Sequence, residues 1–263
     1  MRFYKQNKEL VSVFEDTMRM ISKEDLEVGS EHSLKYDEPI EMEDTSYDKE
    51  GKLEIVDSDT LDCAKIMIDE GVENVCVLNM ASIWKYGGGV ANGARAQEEC
   101  LCRRSTLYPM LKEYAERYDD AYPIGGEYDV IYTSNVKVLK DSKYNILTYP
   151  YSVNVITAAA LKKPTLENDS LSEKDKTFLK NKIRQMINVA AFNGNKGLVL
   201  GAFGCGAYGC PARDVANIFK SVLVDEKYKD MFDAVKFAII DDHNAFREDN
   251  KEGNLNVFKE IFK

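Results

Sequence analysis

A run of three glycines, followed after seven residues by Gln-Glu-Glu, combines residue types that can bind an anion and move a proton. The six positions are Gly87, Gly88, Gly89, Gln97, Glu98 and Glu99. Consecutive glycines permit positive φ and let successive N–H groups converge on one anion. Adjacent helical residues project about 100° apart, so one carboxylate can hold a sugar hydroxyl while the other faces the reacting bond. A flexible turn and a solvated helix start remain alternative interpretations.

The proton affinity of the glutamate pair depends on opposing effects. Two nearby carboxylates raise the pKa of one of them, and burial in a cleft acts in the same direction. The positive end of the helix dipole lowers the pKa of both. An acid–base residue at a glycosidic bond must first donate and later accept a proton. The sequence leaves open whether these effects add up to such a residue.

A second glycine-rich segment, GAFGCGAYG at 201–209, follows a predicted strand and precedes a helix predicted to begin near Pro211. Backbone N–H groups and a helix N terminus together favour phosphate binding. No Gly-Lys-Ser/Thr follows, so the segment is not a P-loop. Tyr208 suits stacking on a ribose or base, or packing at the edge of the core. The segment 201–209 as a whole is therefore a candidate phosphate-binding loop.

Hydrophobic patterning predicts the elements that position these loops. Helical spacing predicts an amphipathic helix over 6–23, and strands and helices alternate thereafter. The predicted strands are 52–57, 75–81, 129–140, 145–161, 198–204 and 234–241. This alternation indicates an α/β sheet covered on both faces, in which ligands bind beyond the carboxyl ends of strands. Both glycine-rich loops follow such strands, so we expect one shared crevice, with Asn79 near it.

Local signals set the helix boundaries. Asp59 or Thr60 is expected to cap a helix that ends before Gly71, and Ser172 is expected to cap a helix over 172–193. The helix that carries the glutamates is expected to be interrupted at Pro109. The acidic stretch 24–52 is expected to be a mobile surface loop.

Composition restricts the function further. The chain has 263 residues, with 35 Lys and Arg against 45 Asp and Glu, and a formal net charge of −10. A generic phosphate-neutralising surface is therefore disfavoured, and we expect backbone N–H groups or a few local cations to hold any anionic ligand. Direct nucleic-acid binding is disfavoured for the same reason, although modified bases remain open as substrates.

Cysteine and histidine usage disfavours metal chemistry. The chain has six Cys, only two His and no Cys-x-x-Cys, so we expect reduced thiols and neither a metal nor a cofactor. Asp241, Asp242 and His243 are adjacent, but neighbours at a strand end point in opposite directions. No signal peptide and no apolar run of about 18 residues is present, which predicts a cytoplasmic protein without a membrane partner.

Ordered blocks across residues 10–245 resemble the microbial-type poly(ADP-ribose) glycohydrolases, whose catalytic part is a macrodomain. The Gly-Gly-Gly-x7-Gln-Glu-Glu pattern resembles the family signature. The other blocks are VFEDTMRMI (13–21), DTLDCA (59–64), VLNMAS (77–82), GARAQEECLCRRSTLY (93–108), VNVITAAA (153–160) and GAFGCGAYGCP (201–211).

The resemblance implies a role for each site residue. Glu99 is implied as the catalytic acid–base residue, and Glu98 as a ligand of ribose hydroxyls. The triple glycine is implied to approach the distal ribose and diphosphate. The resemblance also implies that the diphosphate is bound by the backbone N–H groups of Gly204, Cys205, Gly206 and Ala207, with Tyr208 over the distal ribose. Lys85 and Tyr86 stand where the family commonly has Asn-Pro, which makes ribose recognition the part of the resemblance that fits least.

We therefore predict a macrodomain-like three-layer α/β/α sandwich with a mixed sheet and an N-terminal helical extension. Residues 1–52 form the helical and acidic extension, packed on the same domain, and residues 53–263 form the catalytic domain. The predicted activity is hydrolysis of ribose–ribose bonds in poly(ADP-ribose) on modified proteins. The alternatives are a mono-ADP-ribosyl hydrolase, a non-catalytic ADP-ribose-binding macrodomain and a thiol enzyme using Cys205.

Overall fold

The computed structural model describes residues 7–42, 49–242, 245–246 and 250–263. Its strands are β1 (Ser33–Tyr36), β2 (Lys52–Val56), β3 (Val75–Met80), β4 (Val130–Lys140), β5 (Ile146–Ala158), β6 (Leu166–Glu167), β7 (Ser170–Leu171), β8 (Gly197–Leu200) and β9 (Ala234–Ala238). Its helices are α1 (Lys8–Lys23), α2 (Thr60–Asp69), α3 (Gln97–Arg104), α4 (Leu107–Arg117), α5 (Glu173–Phe192), α6 (Ala212–Lys220) and α7 (Asn254–Ile261). The predicted α/β class is confirmed.

The central sheet is mixed and has seven strands in the order β1-β4-β5-β3-β8-β9-β2. The five strands from β5 to β2 in this order pair in parallel, while β4 is antiparallel to both of its neighbours. The carboxyl ends of β3 and β8 therefore lie side by side at one edge of the sheet. This arrangement brings the two glycine-rich loops to the same edge.

Two helical layers cover the sheet and make it a three-layer sandwich. Helices α1 to α4 pack on one face, and α5 to α7 pack on the other. Strand β3 shows why, because Cys76 and Leu78 enter one core while Val75 and Val77 enter the other. A strand buried on both faces is apolar at successive positions instead of alternating. Within the described residues, no helix is long and apolar enough to cross a membrane.

Two predicted helix caps are present. The carboxylate of Asp59 accepts hydrogen bonds from the N–H groups of Leu61 and Asp62 at the start of α2. The hydroxyl of Ser172 accepts from the N–H group of Asp175 at the start of α5. Each side chain satisfies backbone donors that the first turn of a helix leaves unpaired.

The predicted interruption at Pro109 was wrong by four residues. The break between α3 and α4 lies at Ser105, which pairs with Val138 of β4, and the N–H group of Thr106 donates to Lys137 O. Pro109 lies in the first turn of α4, where the missing proline N–H has no helical acceptor. A long-range contact with the sheet therefore ends α3.

The loop predicted for 24–52 was wrong for its middle part. Residues 33–36 form β1, the edge strand of the sheet, with Ser33 opposite Thr133. The N–H group of Lys35 also donates to the hydroxyl of Tyr114 on α4. Four residues in an acidic stretch carry too little apolar patterning to predict a strand, because the neighbouring strand supplies its pairing. Residues 43–48 of this stretch lie outside the described residues.

A buried guanidinium joins α3 to the start of α2, and its loss should destabilise the fold. The side chain of Arg104 is 1% exposed and contacts Asp59, Asp62 at 2.6 Å and the carbonyl of Lys140. We expect Arg104→Gln to lower the free energy of unfolding by about 2 kcal/mol or more, because charge-assisted bonds to partly buried groups are lost.

Urea denaturation measures this loss. The matched control is Arg19→Gln, since Arg19 pairs with Asp16 on the exposed side of α1. An exposed pair of this kind contributes about 0–1 kcal/mol. Equal losses in the two variants would contradict a structural role for the buried guanidinium.

Candidate active site

Helix α3 is fixed to the end of β3 by the side chain of Gln97. Its Oε1 accepts a hydrogen bond from Met80 N–H at 2.9 Å, and its Nε2 donates to Leu78 O at 2.6 Å and to the hydroxyl of Thr60 at 3.2 Å. These contacts engage both ends of the amide with the protein itself. Gln97 thereby places the first turn of α3, and with it both glutamates, beneath the triple-glycine loop.

The carboxylate of Glu98 closes the loop that follows β3. Oε2 accepts from Ser82 N–H at 2.7 Å and Oε1 accepts from Gly87 N–H at 3.0 Å. Burial raises the pKa of Glu98 to about 8, while the bond from Ser82 opposes the rise and the charge of Glu99 adds to it. The side chain is thus both an anchor for the loop and a group that titrates near neutral pH.

The carboxylate of Glu99 is anchored by one oxygen only. Oε1 accepts from Gly89 N–H at 2.8 Å, whereas Oε2 is buried and has no hydrogen-bond partner among the described residues. The residue is 6% exposed. A buried carboxylate oxygen without a partner is costly to the fold, so such an atom indicates a functional requirement. Glu99 therefore has one oxygen that sets its position and one buried oxygen that hydrogen-bonds to no described residue.

Both carboxylates converge on Gly88. A Cβ at this residue would lie 2.6 Å from Oε1 of Glu99 and 2.9 Å from Oε2 of Glu98, and the φ of Gly88 is +50°. The neighbouring Gly87 has a φ of +66° and lies against the ring of Tyr108. Only glycine combines this backbone conformation with such close approach.

An aromatic row supports the triple-glycine loop. Three successive pairs of rings pack edge to face. The distances between ring centroids are 4.8 Å for Phe14 on α1 and Tyr108, 5.4 Å for Tyr108 and Tyr86, and 6.2 Å for Tyr86 and Tyr122. Such pairs add about 0.5–1.5 kcal/mol each beyond burial. Tyr86 thus has a packing role that the sequence did not reveal, while the adjacent Lys85 is exposed.

The second glycine-rich loop presents backbone N–H groups. The N–H group of Cys205 donates to Ala202 O, but those of Gly206 and Ala207 donate to no acceptor among the described residues. Gly204, with a φ of +77°, sits against Ala160, where a Cβ would lie 2.7 Å away. The loop is therefore held closely against the end of β5 and offers successive donors, as an anion nest does.

Tyr208 joins the two loops. Its hydroxyl accepts from Ile83 N–H at 3.0 Å and donates to Ala81 O at 3.2 Å, both in the loop after β3. Its carbonyl accepts from Lys163 N–H at 2.8 Å. The side chain therefore ties the two loops together, and its half-buried ring packs against both hydrophobic cores.

Two further sequence predictions map to distinct places. Asn79 is fully buried at the end of β3, where its Nδ2 donates to the hydroxyl of Thr157 and its Oδ1 has no partner among the described residues. The thiol of Cys205 is buried beneath its loop and lies 3.7 Å from Phe203 O. Asn79 therefore lies below the crevice, and the thiol faces the loop's own backbone.

The acidic pair near the end of β9 is structural where it is described. Asp241 caps α7 by accepting from the N–H groups of Asn254 at 2.8 Å and Leu255 at 3.1 Å. His243, next to this pair in sequence, lies outside the described residues. In the part of the chain that is described, no group of three His, Cys, Asp or Glu side chains could hold a metal ion.

The raised pKa of Glu98 predicts a pH-dependent stability. Between the ordinary pKa of 4.5 and about 8, the unfolded chain has released a proton that the folded state still binds. Folding then takes up a proton, so increasing pH favours unfolding in this range. Glu98→Gln removes the dependence, and its stability relative to the parent should rise between about pH 5 and about pH 8.

Urea denaturation of both proteins across this pH range measures the difference. Glu116→Gln on the exposed face of α4 is the matched control, and its curve should remain parallel to that of the parent. A Glu98→Gln curve that is also parallel to the parent would contradict the raised pKa.

Comparisons with known proteins give one matching family and several similar structures. The sequence model of the family described as microbial-type PARG, catalytic domain, matches residues 2–141, more than half of the chain. The fold is similar to that of a poly(ADP-ribose) glycohydrolase (PARG) from Thermomonospora curvata, with a TM-score of 0.82 and 24% identity over 97% of this chain and all of the other.

Structures of relatives with bound ligands are also similar. The PARG from Deinococcus radiodurans in complex with ADP-ribose is 28% identical, with a TM-score of 0.68 over 81% of this chain and 84% of that chain. The Thermomonospora curvata protein bound to the inhibitor ADP-HPD is 23% identical, with a TM-score of 0.78 over 97% of this chain and 99% of that chain. No curated protein matches the sequence.

Proposed function

The chain belongs to the microbial-type PARG family, and from this premise we propose that it hydrolyses the ribose–ribose bonds of poly(ADP-ribose) with Glu99 as the acid–base residue. The observation that carries the proposal is the carboxylate of Glu99, which is anchored through one oxygen and has a buried second oxygen without a partner among the described residues. A residue fixed in this way meets the geometric requirement for proton transfer to a bound substrate.

The proposed reaction needs only groups on this chain and water. Protonated Glu99 donates its proton to the departing ribose oxygen while the glycosidic C–O bond breaks, which leaves an oxocarbenium-like carbon. The Glu99 carboxylate then removes a proton from the attacking water, whose oxygen forms the new bond to that carbon. The products are ADP-ribose and the shortened polymer, and Glu99 is again protonated.

The diphosphate is proposed to lie over the loop after β8. The N–H groups of Gly206 and Ala207 have no acceptor in the described part of the chain, and they supply donors without adding positive charge. Binding through N–H groups suits a chain with a formal net charge of −10. Gly204 and Cys205 set the shape of this loop.

The distal ribose is proposed to lie between the triple glycine and Tyr208. Glu98 contacts its hydroxyls in the proposal, and the ring face of Tyr208 stacks on the sugar. The two glutamates and Tyr208 all bind the same loop, residues 81–89, so ribose recognition and acid–base chemistry share one support. Asn79 and Gln97 act from below by holding the end of β3 and the start of α3.

Two alternatives fit the geometry less well. A thiol enzyme needs Cys205 to face a substrate, whereas its sulfur is buried against the backbone of its own loop. A non-catalytic ADP-ribose-binding protein needs the glycine-rich loops but has no use for a buried, half-anchored Glu99.

An assay with defined substrates tests the activity. Purified protein is incubated with poly(ADP-ribose) of known length and, separately, with a protein carrying single ADP-ribose units, and released ADP-ribose is measured by chromatography. We expect release from the polymer. Release only from the singly modified protein would favour a mono-ADP-ribosyl hydrolase, and calorimetric binding without release would favour a non-catalytic protein.

Three sequence predictions accompany the proposed function. We propose a cytoplasmic location, supported by six cysteines that all lie in the described residues and form no disulfide. ADP-ribose polymers on modified proteins are the proposed partners, with modified nucleic-acid bases as a further possible substrate class. The proposed catalytic unit is residues 53–263, with residues 1–52 as an extension on the same domain.

A further inference from the structure

Helix α3 carries a buried cation, Arg103, without a counter-charge among the described residues. Arg103 is 1% exposed, and no carboxylate among the described residues lies within 4.0 Å of its guanidinium. Nε donates to the hydroxyl of Tyr144 at 3.0 Å, and one terminal nitrogen donates to Ala94 O at 2.6 Å. The other terminal nitrogen has no acceptor in the described part of the chain. Burial of an unpaired charge is strongly unfavourable, so this group calls for an anion.

A cavity of about 260 Å³ lies beside this guanidinium. Arg95 is exposed at its rim and also has no carboxylate partner among the described residues. Among the described residues of its lining, Glu9 is the one acidic side chain, so two described cations face a single carboxylate. The volume is below the range of about 300–1,000 Å³ that is typical for drug-sized ligands, which suits one small group and not a whole nucleotide.

We propose that this cavity binds a phosphoryl group through Arg103 and Arg95. Arg103 supplies a fixed donor fork of the kind that matches phosphate oxygens, and Arg95 adds charge at the entrance. The described lining of the cavity contains neither Glu98 nor Glu99 and no residue of the two glycine-rich loops. It is therefore separate from the crevice of the proposed function, and its existence does not depend on that activity.

The position of the site connects it to the catalytic loop. Arg103 holds the carbonyl of Ala94, and the N–H group of Ala94 donates to Gly89 O, next to the N–H group that anchors Glu99. The phosphoryl group has two possible sources, free inorganic phosphate or a phosphate of a poly(ADP-ribose) chain that extends past the crevice. Both sources present the same phosphate oxygens to Arg103 and Arg95, and the experiment below distinguishes them.

Titration of inorganic phosphate into the full chain, followed by ³¹P NMR, tests the site. The titration is done with and without saturating ADP-ribose, so that phosphate bound in the cavity is distinguished from phosphate bound at the glycine-rich loops. The result can be interpreted even if the proposed function fails, because it does not depend on turnover. We expect Arg103→Gln to raise the phosphate Kd about tenfold or more. Arg95→Gln should raise it about threefold, and Glu9→Gln should lower it about twofold.

The matched control is Arg213→Gln, which removes the same charge from an exposed pair on the opposite face of the sheet. Its phosphate Kd should equal that of the parent. Arg95 and Glu9 are exposed, so their opposite shifts test the proposal even if Arg103→Gln fails to fold. Absence of phosphate binding, or equal affinity in Arg95→Gln, Glu9→Gln and the parent, would overturn it.

Polymer binding identifies the source. In a Glu99→Gln background, affinities for poly(ADP-ribose) and for ADP-ribose are compared with and without Arg95→Gln. If Arg95→Gln weakens the binding of poly(ADP-ribose) but leaves the binding of ADP-ribose unchanged, the site is assigned to a polymer phosphate. Unchanged polymer affinity, together with the phosphate shifts above, would assign it to inorganic phosphate.

Discussion

Glu99→Gln should reduce the rate of ADP-ribose release from poly(ADP-ribose) by about 10²–10⁴-fold, the usual contribution of a positioned acid–base residue. Gln has the shape of Glu, and its amide oxygen can still accept the hydrogen bond from Gly89 N–H. The amide cannot donate a proton to the departing oxygen or remove one from water. Chemistry should therefore be lost while the loop keeps its position.

Binding distinguishes this result from a damaged site. We expect calorimetry to give a Kd for ADP-ribose within about threefold of the parent value, because the contacts proposed for the diphosphate and ribose remain. Glu116→Gln on the exposed surface of α4 makes the same chemical change and should retain full activity. Full turnover in Glu99→Gln would remove Glu99 from the mechanism.

Glu98→Gln provides the internal contrast. Both oxygens of Glu98 accept from loop N–H groups, so this residue is proposed to shape the ribose site and not to transfer the proton. We expect its loss to raise KM more than it lowers kcat, whereas loss of Glu99 lowers kcat. A larger fall in kcat for Glu98→Gln than for Glu99→Gln would reverse the two assignments.

Local chemistry explains which elements the sequence predicted. The caps at Asp59 and Ser172 were predictable because each side chain satisfies N–H groups two or three residues away. The edge strand 33–36 and the helix break at Ser105 depend on pairing with β4, about 100 and 33 residues further along the chain. Hydrophobic and capping patterns within a short stretch of sequence cannot indicate which distant strand a segment will pair with.

The candidate site also has a part that the sequence predicted and a part that it did not. The two glycine-rich loops and the glutamate pair were visible because glycine and carboxylate are unusual enough to indicate a function. The partners that fix them are mainly backbone groups, such as Ser82 N–H beneath Glu98 and Ile83 N–H at the hydroxyl of Tyr208. Any residue type supplies an N–H group, so the sequence cannot identify them. The packing of Tyr86 and Tyr108 against the triple-glycine loop was not predicted, because an aromatic residue beside a loop is equally typical of the hydrophobic core.

The same reasoning predicts which glycine of the triplet is indispensable. Gly88→Ala should lower kcat/KM about 10²-fold, because a displacement of about 1 Å in reacting groups has an effect of this size. The new Cβ would lie 2.6 Å from Oε1 of Glu99 and 2.9 Å from Oε2 of Glu98, closer than real Cβ contacts. Both carboxylates would have to move together, and the bond from Gly89 N–H to Glu99 would be strained.

Backbone strain alone predicts a different outcome, and Gly71→Ala isolates it. Gly71 has a φ of +88°, but a Cβ there meets nothing within 4 Å. This control should lower the free energy of unfolding by about 1 kcal/mol and leave kcat/KM unchanged. Stability by urea denaturation and kcat/KM are measured for both variants. If Gly88→Ala loses only stability, as Gly71→Ala does, then the convergence of the two carboxylates on Gly88 has no catalytic importance. If it loses activity at similar stability, the position of the carboxylates is what the triple glycine protects.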